Sequence, residues 1–409
     1  MIALPSDNRL PIKRKLDLLL LFYFVTSFGS ILAMISTFIA AESTFGTLNH
    51  LALALSLRTF VSIVSSWNAP SIFRKYGIRQ VLLISEIFGL MALMTLIYGV
   101  SQSNFIMSVT ALSLMAIPSN LLSQGVISVV KINCGEDREL FSRYSARMNK
   151  VMGLMDIFIG ISSPVLLGMF SLEEVYLIDF GSYLLGFVFL LSSGEFYARQ
   201  SPTLRPVRPL IGSFGKINFP MLRSLFGTLI LIGMVPLIAG SKEVLGLFQH
   251  SLSQNWLISA LWATEGVGLF VSGFIYSNPA LRKNLNPLLQ LSMLFILLSS
   301  LVSSYVILIL GCILVTVGYD VNFKSKRDEA LMHAGESEEL VLQAASSFSI
   351  IKAVFCSLSP IVIVSIVNLT SVRDAFLILF VFQLSMLCCF YAKNNAFMRL
   401  AHKKARVIE

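Results

Sequence analysis

The sequence predicts an all-α membrane protein in which twelve transmembrane helices form two six-helix bundles. Apolar residues make up 56% of its 409 residues and charged residues only 13%, whereas charged residues are about a quarter of an ordinary soluble protein. The apolar residues also occur in runs long enough to cross a bilayer, because roughly 20 residues at 1.5 Å each span its hydrocarbon layer.

Twelve such runs follow one another, and none shows the period-two alternation of a membrane β-barrel. We number the predicted spans 1 to 12 in chain order: 16–41, 48–70, 80–100, 105–130, 148–170, 175–196, 222–240, 256–277, 286–303, 305–322, 342–368 and 375–392. Span 7 is interrupted by Pro236 and followed by Lys242 and Glu243, which also fits a broken helix. The boundary between spans 9 and 10 is similarly ambiguous.

A polar segment with four prolines and several basic residues divides the spans into two sets of six. The predicted organisation is an N-terminal bundle at 1–196, a cytoplasmic linker at 197–221 and a C-terminal bundle at 222–409. Two bundles around a central linker are typical of secondary transporters, whose substrate site lies between the repeats near the midplane of the membrane.

The distribution of basic residues predicts the orientation. Of the 31 lysines and arginines, 27 lie in the termini and in the loops on one side of the twelve spans, and only Lys242 and Arg373 lie in the opposite loops. Lysine and arginine concentrate in cytoplasmic loops, so both termini are expected in the cytoplasm of a bacterial cell, with the helices in its inner membrane. The net charge of +9 forms no single basic patch and does not indicate a nucleic-acid partner.

The sequence also lacks the motifs of several other classes of protein. It contains no phosphate-binding G-x-x-x-x-G-K-[ST], no H-E-x-x-H and no nucleophile elbow. Its five cysteines form no C-x-x-C pair and indicate neither disulfides nor zinc. We therefore expect no cofactor, no metal and no enzymatic activity.

The loop between spans 2 and 3 resembles a signature of the major facilitator superfamily, G-x-x-x-D-R-x-G-R-R. The matching segment is Pro70-Ser-Ile-Phe-Arg-Lys-Tyr-Gly77-Ile-Arg79. Gly77 and Arg79 retain the glycine and a basic residue of the signature, whereas Arg74 stands where the family has aspartate. The charge relay of that aspartate therefore does not transfer to this chain, and a basic loop that only follows the topology rule explains most of the segment.

A longer stretch is similar to the macrolide-efflux and enterobactin-exporter-like branch of the superfamily. It comprises Ile117-Pro-Ser-Asn120, then Gly160-Ile-Ser-Ser-Pro164-Val-Leu-Leu-Gly168, then Tyr176-Leu-Ile-Asp179-Phe-Gly-Ser-Tyr-Leu-Leu. The resemblance covers residues 16–196 best. It implies a major facilitator fold in which spans 1, 4, 7 and 10 line a central cavity, and it implies export of a small organic molecule.

Gly160, Pro164 and Gly168 are spaced by four residues on one face of span 5. Small residues allow two helices to approach closely, and span 8 offers Gly266, Gly268 and Gly273 as counterparts. These two faces either form the sliding surface of a rocking motion or provide ordinary small-residue packing.

Four charged residues are predicted near mid-membrane, where a charge costs several kcal/mol unless it faces a cavity or a partner. They lie on spans 2, 5, 8 and 11: Arg58, Asp156, Glu265 and Lys352. They are candidates for gating ion pairs or for a proton carrier, and the alternative is that each satisfies a local structural partner. Glu86 and Asp179 lie nearer helix ends, and a structural role is expected for them.

Uncharged polar residues on spans 4 and 10 are candidates for lining the cavity: Asn120, Gln124 and Tyr319. With the charges, they predict a monomeric secondary active transporter whose partners are the lipid bilayer, a small-molecule substrate and protons. The leading hypothesis is proton-driven antiport that exports a drug or a siderophore-like molecule. The alternatives are an importer of a nutrient, metal chelate or lipid, and a non-transporting membrane scaffold or membrane enzyme.

Overall fold

The computed structural model describes residues 12–39, 48–192, 255–278, 305–334 and 338–370, with single positions at 374, 377, 378, 381 and 385. All regular structure in these residues is α-helical. The helices are α1 (Ile12–Ile39), α2 (Leu48–Tyr76), α3 (Ile78–Ser101), α4 (Phe105–Leu114), α5 (Ala116–Cys134), α6 (Arg138–Met169), α7 (Leu172–Ser192), α8 (Asn255–Ser277), α9 (Tyr305–His333) and α10 (Glu338–Leu369).

Helices are present at nine of the predicted spans, with α4 and α5 together forming span 4. Five helical segments of the described residues are long and apolar enough to cross a membrane: Leu16–Thr37, Ile78–Ser101, Phe105–Cys134, Arg138–Met169 and Leu172–Ser192. The linker 197–221 and spans 7 and 9 lie outside the described residues, as does span 12 apart from single positions. The total of twelve spans stays a prediction.

Span 4 is interrupted at Met115, between α4 and α5. Pro118 is the third residue of α5. Proline has no N–H to bond the carbonyl four residues earlier, and its ring crowds that carbonyl. In this chain that carbonyl belongs to Leu114, the last residue of α4, so the break follows from the proline.

Two segments that lie between predicted spans, one before residue 148 and one after residue 322, are largely helical in the described residues. α6 begins at Arg138 rather than near residue 148, because the Asp137 side chain accepts a hydrogen bond from the Leu140 amide at 2.9 Å and caps the helix. α9 continues to His333, with Lys324 and Asp320 paired one turn apart. Apolar run length marks where lipid ends, and paired or solvated charges allow each helix to continue beyond that point.

Short turns show that consecutive helices run up and down. α2 and α3 meet at Gly77, whose φ of 79° lies in the left-handed region that glycine adopts without strain. We call the end that contains Gly77 and the α5–α6 turn the basic end, because the predicted cytoplasmic charges lie there. The other end, with Ser103 and Ser171, is the distal end.

α6 and α8 lie in contact along a face of small residues. A Cβ added at Gly153 would lie 2.6 Å from the Gly266 carbonyl oxygen, and one at Gly160 would lie 3.0 Å from the Ser259 carbonyl oxygen. Gly273 extends this face toward the basic end, where it meets Ala146 and Lys150. The two backbones therefore touch over at least four turns.

The predicted glycine faces divide between this contact and other surroundings. Gly160 and Gly266 lie in the α6–α8 contact, whereas Gly268 faces Thr316 and Ile313 of α9. Among the described residues, no atom lies within 4 Å of the Cβ position of Gly168. Pro164 lies inside α6 and is half-buried.

A second long contact joins α2 to α10. Its apolar core near the basic end includes Phe73 of α2, Phe141 of α6, and Leu331, Val341 and Leu342 of α9 and α10. We refer to α1–α7 as the N-half and to α8–α10 as the C-half. The α2–α10 and α6–α8 contacts are the two long seams between these halves.

Alanine at Gly153 and alanine at Gly168 should have opposite effects on stability. Gly153→Ala forces a methyl group into the α8 backbone, and overpacking of this kind costs about 1–3 kcal/mol. Gly168→Ala adds a methyl group where no described atom lies within 4 Å. It should leave the midpoint temperature of thermal unfolding unchanged or raise it, since alanine is the better helix former by about 1 kcal/mol. The measurement is thermal unfolding of the two purified variants in detergent, and equal midpoints would contradict the described seam.

Candidate functional site

The two halves are joined at the basic end by a buried polar network centred on Asp320 of α9. Its Oδ2 accepts hydrogen bonds from Asn149 Nδ2 of α6 at 2.7 Å and from Ser272 Oγ of α8 at 2.5 Å. Its Oδ1 lies 2.8 Å from Lys324 Nζ, and Lys324 also donates to Asn149 Oδ1. Asn149, Ser272 and Asp320 are at least 95% buried, so this network excludes water between the halves.

A second group of contacts lies one to two turns closer to the basic end. Arg327 donates to Ser145 Oγ of the N-half at 3.1 Å and to Asp328 Oδ1 at 2.9 Å. The other oxygen of Asp328 accepts from the Tyr276 hydroxyl of α8. On the opposite side of the seam the Lys150 ammonium lies 3.8 Å from the centre of the Phe274 ring, a cation–π contact.

The α2–α10 seam has its own polar links. Arg74 Nη1 lies 3.1 Å from Glu339 Oε1, with both side chains partly exposed. Deeper in the seam, Ser346 Oγ of α10 donates to Gln124 Oε1 at 2.7 Å, and Gln124 Nε2 donates to Ser66 Oγ at 3.0 Å. These contacts, like those of Asp320, lie toward the basic end of the molecule.

Gly77 and Arg79 form part of the N-half at this end. Gly77 provides the turn between α2 and α3. Arg79 Nη2 donates to the carbonyl oxygens of Leu190 and Leu191 at 3.3 and 3.4 Å. A cation at the last carbonyls of a helix is favourable, so Arg79 ties α3 to the end of α7.

Two of the predicted mid-membrane charges lie in one neighbourhood, around Tyr23 of α1. The Tyr23 hydroxyl lies near the side chains of Ser123 of α5 and Ser27 of α1, and it is within electrostatic reach of both Asp156 and Lys352. Asp156 is 6% exposed, and Lys352 is exposed. Helices of both halves therefore contribute to this polar cluster, which we call the Tyr23 cluster.

Glu265 and Arg58 lie in different surroundings. Glu265 is half-buried on α8, next to Gly266, whose Cβ position is 2.8 Å from the Asp156 Cβ. Arg58 lies within the N-half, with Nη1 2.8 Å from Met34 Sδ and with Tyr183 of α7 in electrostatic reach. Arg58 thus interacts across α1, α2 and α7.

The predicted cavity residues are placed as follows. Asn120 Nδ2 donates to the Ser62 carbonyl and to Ser65 Oγ, both at 2.8 Å, so it links α5 to α2 inside the N-half. Gln124 is 1% exposed and lies in the α2–α10 seam. The side chain of Tyr319 lies outside the described part of the structure.

Tyr23 and the Asp320 network are not among the sequence-predicted site residues. Tyr23, Ser27 and Ser30 follow one another at i, i+4 and i+7, a spacing that indicates one polar face on span 1. The pairing of Asp320 with Lys324 has an i, i+4 signature. Neither signal indicates which residue of the other half completes the contact.

Among the residues described, no three histidine, cysteine, aspartate or glutamate side chains are grouped so that they could hold a metal ion. The polar groups at the interface are instead hydroxyls, amides and paired charges. These groups hydrogen-bond to each other across the seams.

Removal of the Asp320 charge should destabilise the closed basic end. Asp320→Asn leaves the Lys324 ammonium buried without its carboxylate, and breaking a buried pair costs about 3–5 kcal/mol. The double variant Asp320→Asn with Lys324→Met should recover part of that loss in thermal unfolding. The matched control is Asp17→Asn, which breaks the more exposed pair with Arg147 and should cost at most about 1 kcal/mol. If Asp17→Asn destabilised the protein as much as Asp320→Asn, burial would not be the reason that the Asp320 pair contributes to stability.

Comparison with solved structures identifies the fold. The nucleoside transporter NupG has a TM-score of 0.66 at 14% identity, covering 93% of this chain and 99% of that one. A bacterial homologue of the iron transporter ferroportin in an outward-facing state has a TM-score of 0.65 at 13% identity, covering 94% of this chain and 100% of that one. The major facilitator superfamily transporter FucP in the outward conformation has a TM-score of 0.60 at 12% identity, covering 91% of this chain and 98% of that one.

No protein-family model and no curated protein sequence matches the chain. The three solved structures are membrane transporters, and each is matched over nearly its whole length. At these identities the likeness concerns the fold and not the substrate. The chain therefore has the fold of the major facilitator transporters.

Proposed function

We propose that this chain is a secondary active transporter that exports a small organic molecule in exchange for protons. The observation that supports it best is the Tyr23 cluster, in which ionisable side chains from the N-half and the C-half lie near each other between the seams. A charged residue at this depth is costly unless it serves a pathway or a partner, and alternating access needs a site that both halves share.

The end of the molecule at which the two halves are in contact supports an assignment of its conformational state. The α6–α8 seam is closed from Gly273 to Gly160, and the polar links of Asn149, Asp320 and Arg327 lie at the basic end. We take this as an outward-facing arrangement, with the basic end closed and facing the cytoplasm. Two of the similar solved structures are themselves outward-facing.

The seams also support a mechanism in which the halves separate at the basic end. The links across them are hydrogen bonds and ion pairs between short segments, together with the apolar contacts around Phe73 and Leu331. Water can replace polar partners one for one, so the net cost of opening each such link is modest, about 0.5–1.5 kcal/mol for a typical hydrogen bond. Rocking of the halves about the glycine-lined α6–α8 seam would then expose the Tyr23 cluster to the cytoplasm.

For the substrate we propose a drug or a siderophore-like molecule, on the resemblance of the N-terminal half to exporters of that kind. The protein is proposed to act as a monomer in a bacterial inner membrane. Gating or proton transfer is assigned to Arg58, Asp156, Glu265 and Lys352, with Asp156 first because it is buried in the seam beside Tyr23.

Labelling with a membrane-impermeant maleimide should establish the topology. Ser103→Cys lies in the exposed distal turn and Glu136→Cys in the exposed turn at the basic end. In intact bacterial cells the reagent should label Ser103→Cys above the parent protein, and it should label Glu136→Cys only after permeabilisation. The reverse pattern would contradict the proposed orientation.

Neutralisation of Asp156 should strongly slow coupled transport. Everted vesicles containing the protein should accumulate ethidium, a macrolide or a catecholate siderophore when their lumen is acidified, and an uncoupler should prevent it. Asp156→Asn should slow the initial rate roughly tenfold or more, or about 1.4 kcal/mol in activation free energy. The control is Glu174→Gln, since Glu174 is exposed and caps α7 at Ser171.

The same assay separates the competing functions. Accumulation in right-side-out vesicles in place of everted ones would indicate an importer. Absence of gradient-driven movement for all three probes, with a correctly folded protein, would favour a non-transporting scaffold.

A further inference from the structure

Two carboxyl groups are buried inside the N-half, away from the seams. Glu86 of α3 is 1% exposed and Asp179 of α7 is 0% exposed. Glu86 lies about 12 Å along α3 from the basic end, and Asp179 about 10 Å along α7 from the distal end, at 1.5 Å per residue. Both therefore lie within the apolar length of helices that can cross the membrane, and the two carboxyls interact electrostatically.

The hydrogen bonds of this pair are incomplete. Asp179 Oδ1 accepts from Ser182 at 3.1 Å and from Ser30 at 3.4 Å. In the described part of the chain, Asp179 Oδ2 and Glu86 Oε2 have no hydrogen-bond partner, and neither has the hydroxyl of Thr26, which is 1% exposed. A buried polar atom without a partner is costly, so the two carboxyl oxygens without partners make full ionisation of this pair costly.

The surrounding backbone leaves room for these groups. The Cβ position of Gly186 lies 2.5 Å from Thr26 Oγ1 and 2.9 Å from Glu86 Oε2, which places the unpartnered hydroxyl close to the unpartnered carboxyl oxygen. A side chain at Gly29 would collide with Asp179 and Ser182, and one at Gly89 with the Tyr183 ring. Three glycines on three helices thus accommodate the polar side chains of one site.

Positive charge does not account for the burial of both acids. Tyr183 lies within reach of Glu86, Asp179 and Arg58, and Ser30 donates to its hydroxyl at 3.0 Å. Tyr176 is within reach of Asp179 and Glu173. Of the other helices against α3, α4 contains no titratable residue, and the Lys131 ammonium of α5 bonds the Gly135 carbonyl at the basic end. Among the described residues, Arg58 is within electrostatic reach of Tyr183, and no basic side chain acts on Glu86 or Asp179.

We propose that Glu86 and Asp179 form a proton-binding site within the N-half that retains at least one proton at neutral pH. Two nearby carboxylates in a medium of low dielectric constant cannot both stay ionised at an acceptable cost. A proton on either carboxyl removes one of two buried negative charges that no basic side chain of the described residues offsets.

A polar face on α1 connects this site to the Tyr23 cluster. Tyr23, Ser27 and Ser30 lie at i, i+4 and i+7, so they follow one face of the helix over about 10 Å. Tyr23 lies near Ser27 and Asp156, while Ser30 Oγ lies 3.4 Å from Asp179 Oδ1 and 3.0 Å from the Tyr183 hydroxyl oxygen. The proposed use of the site, as a second proton store for coupling, rests on the proposed transport function, whereas the binding of the proton does not.

Infrared difference spectroscopy tests the site without any substrate. The full-length protein in lipid, at neutral pH, should show a protonated-carboxyl band that shifts in heavy water. The double variant Glu86→Gln with Asp179→Asn should lose most of this band, while Glu139→Gln with Glu174→Gln, two exposed acids of the same half, should retain it. Each variant is first required to match the parent in elution volume, and Glu86→Gln and Asp179→Asn are also measured singly in case the double variant does not fold.

The outcomes separate this proposal from its rivals and from the proposed function. A band that persists at full intensity in the double variant, or a parent protein without one, would overturn the proton site. Loss of the parent band on replacing choline by sodium would overturn it in favour of a sodium site. The parent protein could show the band, lose it in the double variant, and still transport none of the probes. That result would support the proton site and contradict the transport proposal.

Discussion

The close backbone contact of α6 with α8 is the constraint on which the other features of the interface depend. Glycines at Gly153, Gly160, Gly266 and Gly273 let the two helices touch, and only at that separation can side chains as short as Asn149 and Ser272 both reach Asp320. Helices in lipid gain little from apolar burial against each other, so small residues and hydrogen bonds must hold them together. The seam satisfies both requirements with residues of small volume.

The chemistry of the seams explains how a stable contact remains reversible. Asp320, Lys324, Asn149 and Ser272 satisfy one another while closed, and each is a group that water solvates well. An apolar seam of the same length would resist opening to water, because exposed apolar surface costs about 25 cal/mol per Å². The deeper Tyr23 cluster differs in that Lys352 is exposed in the closed arrangement, which is consistent with a space between the halves at that level.

In the described part of the chain, helices lie where apolar run length predicts them, because lipid requires intrahelical hydrogen bonding over a fixed thickness. Apolar run length did not predict the ends of the helices. α6 begins ten residues before its predicted span, where Asp137 caps it and Phe141 is buried. Among the site residues, the depth of Asp156 and Lys352 in the membrane stays a prediction from the sequence, whereas their relation to Tyr23 depends on how four helices are arranged. Spacing within one helix cannot reveal a partner on another, as Asn149 with Asp320 demonstrates.

Glu86 and Asp179 show a further limit of counting residues from helix ends, which suggested a structural role for both. Depth along a helix measures distance from lipid headgroups, but the cost of a charge depends on what surrounds it laterally. In this chain Gly29, Gly89 and Gly186 bring α1, α3 and α7 so close that no water is expected between them. The burial of the pair is therefore fixed by the packing of the N-half itself, while Asp156 lies in the seam about which the proposed rocking motion takes place. Acids in these two environments would respond differently to the same conformational change, and that difference is what coupling between a proton and a moving interface requires.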